Sequence, residues 1–285
     1  MRSKLTLWTH LGLGTALAGG MLAGCGGEAG EQGAADRSAG GEAGVAAPAA
    51  GSGEGGEGGE GGEGGESGEG GIDTAAAATD PVAYRSALAV TEAHVIAARD
   101  AHAAGKRAEA AEMFAHPVSE VLVPLAPVFA AQGVADFGGL LTDASSAVLD
   151  GASAQQVNAR FDAIMAALRG AAAKAPASSA AEGAVAARVV ADQIERAVAM
   201  HREAASNSAY EPYLDGYGFA RAAQSRLKAS ESAIKAADPA LHGRLVDAIG
   251  LLIKAYPSVE RPATLPVEQG ALSGASSRVM LALGN

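Results

Sequence analysis

The spacing of apolar residues after residue 72 constrains the fold more than any other feature of the chain. From there to residue 285 the sequence is rich in alanine, and its Val, Leu and Ile side chains recur at intervals of three and four residues. This spacing places apolar side chains on one face of an α-helix, and no stretch shows the strict alternation of a half-buried strand. We therefore predict an all-α fold for residues 72–285.

Capping residues, prolines and glycines predict where the helices begin and end. Either Thr79 or Asp80 can act as an N-cap before Pro81, and Asp238 precedes Pro239; both patterns are typical of an N-cap followed by proline at the first helical position. Glycines after apolar runs are typical helix stops, and they occur at Gly105, Gly133 and Gly151. These signals predict helices near 80–104, 107–115, 117–132, 134–149, 153–174, 178–207, 211–236, 238–256 and 266–283, with a proline-containing loop over 257–266. The short connections predict a helical bundle, either one large bundle or two fused antiparallel bundles.

Residues 26–71 have a composition that cannot form such a bundle. They contain no aromatic residue, and Glu recurs every third position between residues 54 and 69 in a Gly-rich background. Such a segment buries too little apolar surface to offset its chain entropy, which predicts a disordered, flexible acidic linker. It carries −9 of the chain's net charge of −11. The helical part is therefore nearly balanced in charge, and we expect no nucleic-acid partner.

The first 24 residues are typical of a secretory signal peptide. Arg2 and Lys4 provide a basic start, an apolar stretch follows, and small residues end it. An uncleaved membrane helix is the alternative, since about 20 apolar residues span a bilayer. The chain contains a single cysteine, Cys25, so it forms no internal disulfide and this thiol needs another explanation.

The sequence Leu22-Ala23-Gly24-Cys25 resembles the lipobox of bacterial lipoproteins. The resemblance implies cleavage before Cys25, a lipid on its sulfur and attachment to a membrane through that lipid. Gly26, rather than Asp, follows the cysteine. By the same resemblance, we expect an outer-membrane protein that faces the periplasm or the cell surface. The predicted organisation is thus a signal peptide (1–24), a lipidated cysteine with its linker (25–71) and a helical domain (72–285).

Metal-binding residue types are densest between residues 92 and 120. His116 and Glu120 are four residues apart and lie on one side of a helix if Pro117 opens it, while Glu112 lies one turn before His116. A turn at Gly105 folds the chain back, so that His94 can face His116 across a hairpin. Histidine and carboxylate ligands between bundle helices suit iron, copper or zinc. The candidate ligands are His94, His116 and Glu120, with Glu112 and Asp215 as weaker candidates; the alternative is ordinary helix-surface and helix-capping residues.

His94, the His116-Pro117-x-x-Glu120 sequence and the Tyr213-x-Asp215-x-x-Gly218-Phe219 sequence resemble a pattern in uncharacterised helical proteins of the bacterial envelope. The chain is more distantly similar to imelysin-type iron-uptake proteins, which carry a Gly-x-His-x-x-Glu motif. Here Glu92 and Ala97 stand at the Gly and Glu positions of that motif. The resemblance implies an envelope protein concerned with metal.

No catalytic motif occurs in the sequence: it has no Gly-x-Ser-x-Gly elbow, no His-Glu-x-x-His motif and no phosphate-binding loop. We therefore expect a protein that is not an enzyme. The first functional hypothesis is a lipid-anchored protein that binds or relays a metal ion. The alternative is a non-catalytic interaction module whose helices bind another envelope protein.

Overall fold

Ten α-helices and one π-helix account for most of residues 71–284, the part of the chain that the computed structural model describes. They are α1 (Thr74–Ala77), α2 (Pro81–Ala103), α3 (Arg107–Pro117), the π-helix (Val118–Leu122), α4 (Val123–Ala131), α5 (Gly138–Leu149), α6 (Ala154–Ala172), α7 (Glu182–Ser206), α8 (Glu211–Ala237), α9 (Pro239–Ala255) and α10 (Gln269–Leu283). No strand occurs within residues 71–284. The predicted all-α class is confirmed.

The description of the structure begins at Gly71. The predicted signal peptide (1–24), the predicted lipid on Cys25 and the predicted linker (25–71, except its last residue) therefore lie outside the described residues. They remain predictions from sequence.

The predicted capping residues stabilise the helix ends. The Asp80 carboxylate accepts a hydrogen bond from the Val82 amide at 2.8 Å, and the Asp238 carboxylate accepts one from the Leu241 amide at 2.9 Å. Both satisfy amides that the first helical turn leaves without a partner. The three predicted glycine stops have positive φ angles of 80°, 68° and 84° at Gly105, Gly133 and Gly151, as a left-handed helix end requires.

The predicted break between residues 115 and 117 is wrong. α3, the π-helix and α4 form one continuous helical run from Arg107 to Ala131, with Pro117 inside it. Proline has no amide hydrogen and its ring collides with the preceding turn. The helix does not end at Pro117; its next turn is widened into the π-helix. His116 is therefore in the last turn of α3 and does not cap a new helix.

Three helices begin later than predicted, at residues 138, 182 and 269 instead of 134, 178 and 266. Side-chain turns explain two of these shifts. The Asp136 carboxylate accepts a hydrogen bond from the Gly138 amide at 2.9 Å, and the Ser178 hydroxyl accepts one from the Ala180 amide at 3.0 Å. Such local bonds compete with helical hydrogen bonds, so the helix starts after them.

α2 occupies the centre of the bundle and packs against α3, α6, α7 and α8. The hydrophobic core is continuous from α1 to α10, which favours one large bundle over two fused ones. The run Arg107–Ala131 is long and apolar enough to cross a membrane by length and composition alone. Its Phe114, Val121 and Leu125 side chains are nevertheless buried in the core, as expected for a core helix.

Small residues bring α8 close to α2 and α7. A Cβ atom added to Gly218 would lie 2.5 Å from the Ala93 carbonyl oxygen, and one added to Gly183 would lie 2.2 Å from the Ala233 carbonyl oxygen. Both distances are far below van der Waals contact, so only glycine fits at either crossing. The crossing at Gly218 lies one residue from His94 along α2, and it sets the geometry of the site described next.

Candidate metal centre

Two histidines and four carboxylates converge where α2, α3, the π-helix and the start of α8 meet. We call this set the histidine–carboxylate cluster, and it consists of His94, Glu112, His116, Glu120, Glu211 and Asp215. Its members come from segments far apart in sequence. The cluster exists because α8 packs against α2 beside the α2–α3 hairpin.

The inner half of the cluster is a buried pair, His94 and Asp215. Each side chain is only 2% exposed, and His94 Nε2 lies 3.5 Å from Asp215 Oδ1. The other ring nitrogen, Nδ1, is 2.9 Å from the Val90 carbonyl oxygen, which can only accept. His94 therefore donates its Nδ1 hydrogen to Val90, and in the neutral ring Nε2 carries a lone pair that faces the carboxylate.

The outer half of the cluster surrounds His116. His116 Nε2 lies 3.5 Å from Glu112 Oε1, and His116 Nδ1 lies 3.8 Å from Glu211 Oε1. One ligand atom from each of these three residues falls within 4.8 Å of the others. Glu112 and Glu211 are exposed and the His116 side chain is 21% exposed, so this half opens to solvent.

His116 links the two halves. Its ring lies 6.3 Å from the His94 ring, centroid to centroid, at an interplanar angle of 65°. Ligand bonds to a metal are about 2 Å long on each side, so two imidazoles at this separation can approach one ion with small side-chain rotations. The two histidines thus face each other across the α2–α3 hairpin, as the sequence predicts.

Burial sets the protonation of the cluster. Loss of solvation lowers the pKa of His94 to about 4, the hydrogen bond to Val90 opposes this shift, and the positive charges of His116 and Arg196 add to it. Burial also raises the pKa of Glu120, while His116 acts to lower it and Glu211 to raise it. At neutral pH His94 is therefore a neutral imidazole, the form that ligates metal.

Helical spacing explains which residues come together. Glu112 and His116 are one turn apart on α3, and Glu211 and Asp215 are one turn apart on α8, so each pair shares a face. The Phe219 ring contacts the His94 ring edge to face at 5.8 Å and completes the apolar side of the inner half.

The structure brings together all five candidate ligands from the sequence: His94, His116, Glu120, Glu112 and Asp215. Glu211, the sixth member of the cluster, is not among the candidates predicted from sequence. The signal for it was its position four residues before Asp215, at the start of a helix whose second residue is Pro212.

His102, His201 and Tyr217 have structural roles. His102 donates from Nε2 to the Ala152 carbonyl oxygen at 3.1 Å, and His201 donates from Nδ1 to Gln269 Oε1 at 2.7 Å. Tyr217 turns away from the cluster and donates to Asp100 Oδ2 at 2.8 Å. These contacts join helices to one another and add no ligand to the cluster.

No protein-family model, no curated protein and no solved structure matches this chain.

Proposed function

We propose that this protein is a lipid-anchored envelope protein that binds or relays a metal ion at the histidine–carboxylate cluster. Iron, copper and zinc are the candidate ions, because all three accept imidazole nitrogen together with carboxylate oxygen. The proposed role is to hold and pass on an ion, without catalysis.

One observation carries the proposal: a buried imidazole lone pair faces a buried carboxylate oxygen. His94 Nε2 and Asp215 Oδ1 are 3.5 Å apart and almost fully shielded from water. Two electron-pair donors so placed repel each other unless a positive charge lies between or beside them. Arg196 supplies one positive charge near His94, and a proton or a metal ion at the pair can supply another. The Val90 carbonyl oxygen accepts from the far nitrogen of His94 and so orients the ring, as backbone carbonyls usually do for metal-binding histidines.

The cluster has an order from outside to inside. Glu112 and Glu211 are the exposed members and provide the first contacts for an ion that arrives from solvent. His116 follows, and His94 with Asp215 lies behind it. We propose that His116 ligates together with the outer carboxylates, and that His94 completes the coordination from within.

The proposed location follows from Cys25 and the linker. A lipid on Cys25 would tether the chain durably, since each buried methylene contributes about 0.8 kcal/mol. A flexible coil of the length of residues 26–71 spans on the order of 35–40 Å, which would hold the helical domain clear of the membrane surface. The cluster would then be open to ions in the periplasm or outside the cell.

The test is equilibrium metal binding by the chain from residue 25 onward, made as Cys25→Ser so that it stays in solution. Isothermal titration with Zn²⁺, Cu²⁺ and Fe²⁺ is compared for this protein and for its His94→Gln/His116→Gln variant, with His102→Gln as the matched control. We expect saturable binding of at least one ion at a ratio near one. The double substitution should weaken it at least about 100-fold, as expected for loss of two ligands, and the control should leave it unchanged.

Absence of saturable binding for all three ions would overturn the proposal, and so would equal affinity in the double variant. Either result would favour the alternative, a helical module that binds another envelope protein.

A further inference from the structure

A cavity of about 270 Å³ lies on the bundle where α2, α6, α7 and α8 meet. It shares no residue with the histidine–carboxylate cluster. Its lining combines three arginines and two glutamates with apolar and small polar side chains: Arg85, Glu92, Met165, Leu168, Arg169, Ala172, Glu182, Ala186, Val189, Ser225, Arg226, Ala229 and Ser230.

Two of the three arginines that line this cavity form ion pairs with its two glutamates, and the third has no such partner among residues 71–284. Arg226 Nη2 lies 2.7 Å from Glu92 Oε2, and Arg85 pairs with Glu182. The guanidinium of Arg169, in the last turn of α6, makes no ion pair or hydrogen bond with any part of the chain that the structure describes. A guanidinium with all five donors available, beside two already neutralised arginines, is suited to a planar anion such as a carboxylate.

Helices α6 and α7 also contribute apolar side chains to the cavity. Met165, Leu168 and Ala172 line it from α6, and Ala186 and Val189 line it from α7. A ligand that reaches Arg169 with its charged end would therefore place its body against aliphatic side chains. The cavity is slightly smaller than the range of about 300–1,000 Å³ typical of pockets for drug-sized ligands, so the ligand must be small.

We infer that this cavity binds a small organic acid with one carboxylate and a short apolar body. Arg169 binds the carboxylate of the ligand, and the apolar side chains of α6 and α7 contact its apolar part. The site is independent of metal binding, so either can fail without the other.

Sodium hexanoate is the probe, added to the chain from residue 25 onward made as Cys25→Ser, with binding followed by calorimetry and by NMR shifts of the cavity methyl groups. Acetate tests the need for the apolar body, and hexanamide tests the need for the charge. We expect saturable hexanoate binding that perturbs the Leu168 and Val189 methyls, with acetate and hexanamide each at least about tenfold weaker.

Two variants locate the site, and both change exposed positions, so the fold should be retained; circular dichroism checks this. Arg169→Gln should weaken hexanoate binding about tenfold or more, and Ala229→Trp at the rim should block it. Arg202→Gln, an exposed arginine elsewhere on α7, is the matched control and should have no effect. The inference is wrong if hexanoate does not saturate by about 10 mM, if hexanamide binds equally well, or if Arg169→Gln binds like the control.

Discussion

At the scale of single residues, the site depends on one glycine as much as on its ligands. Gly218 lets the α8 backbone lie against the Ala93 carbonyl, and this crossing places Asp215 beside His94. A glycine inside a helix destabilises it by about 1 kcal/mol relative to alanine, so its presence in the sequence indicates close packing at that position. It does not indicate which helix approaches, since that depends on the whole bundle.

Gly218→Ala should therefore destabilise the protein. The added Cβ would lie 2.5 Å from a backbone oxygen that cannot move without shifting α2, and we expect a net loss of about 1–3 kcal/mol in the free energy of unfolding. Gly243→Ala on α9 is the matched control, since nothing lies within 4 Å of its added Cβ. That change should stabilise the protein by about 0.5–1 kcal/mol. Urea denaturation measures both, and equal effects of the two substitutions would contradict the packing argument.

His94 predicts a pH dependence of stability in the metal-free protein. Its pKa is lowered from 6.5 to about 4 on folding, first by burial, so between these values the unfolded chain binds a proton that the folded chain does not. The titration of His94 therefore leaves the free energy of unfolding unchanged above about pH 6.5. As the pH drops toward 4, it lowers the free energy of unfolding by up to about 3 kcal/mol.

Urea denaturation with a chelator present, at pH values from 7 to 4, measures this fall. His94→Gln has no group that titrates in this range, so it should show a shallower decline. Parallel pH profiles for the two proteins would show that His94 is not held neutral.

At the scale of helices, the sequence predicts the class and the caps well and the internal irregularity poorly. Asp80, Asp238 and the glycine stops act through contacts within a few residues, which are readable from sequence. Proline is common at the first position of a helix, so Pro117 predicts a helix start. Core contacts of Phe114 and Val121 on either side hold the run together in spite of it, and such tertiary packing is not local information.

The Asp238 cap gives a prediction for the α8–α9 junction. Its carboxylate accepts from the Leu241 amide at 2.9 Å, so Asp238→Ala should cost about 1 kcal/mol. Asp247→Ala, at an exposed position in the middle of the same helix, should change stability by less than about 0.5 kcal/mol. Thermal unfolding of the two variants checks this, and a full-sized effect at Asp247 would show that charge, not capping, is responsible.

At the scale of the whole molecule, we predict an anchoring segment (25–71) before a helical domain (72–285). The helical class follows from periodicity, whereas the arrangement of the helices does not, because many packings bury the same alanine-rich faces. The candidate ligands on the α2–α3 hairpin could be predicted because one turn brings them together. The contact of Glu211 with His116 spans 95 residues of sequence, so only the spacing of Glu211 from Asp215 indicates it.

Attachment to the membrane is tested through the single cysteine. If Cys25 carries the lipid, the wild-type protein should fractionate with membranes and Cys25→Ser should move to the soluble fraction. Mass spectrometry of the mature N-terminus should then find the acylated cysteine in the wild type. A Cys25→Ser protein that stays with the membranes after high-salt washing would indicate an uncleaved helix anchor instead.

The central claim is that one metal ion lies in the histidine–carboxylate cluster between His94 and His116. Anomalous diffraction from a crystal soaked in the ion with the highest measured affinity tests it most directly. We expect one strong peak about 2.0–2.3 Å from a ring nitrogen of both histidines and from at least one of the surrounding carboxylates. A peak that excludes His94, or a peak only at other surface carboxylates, would contradict the account.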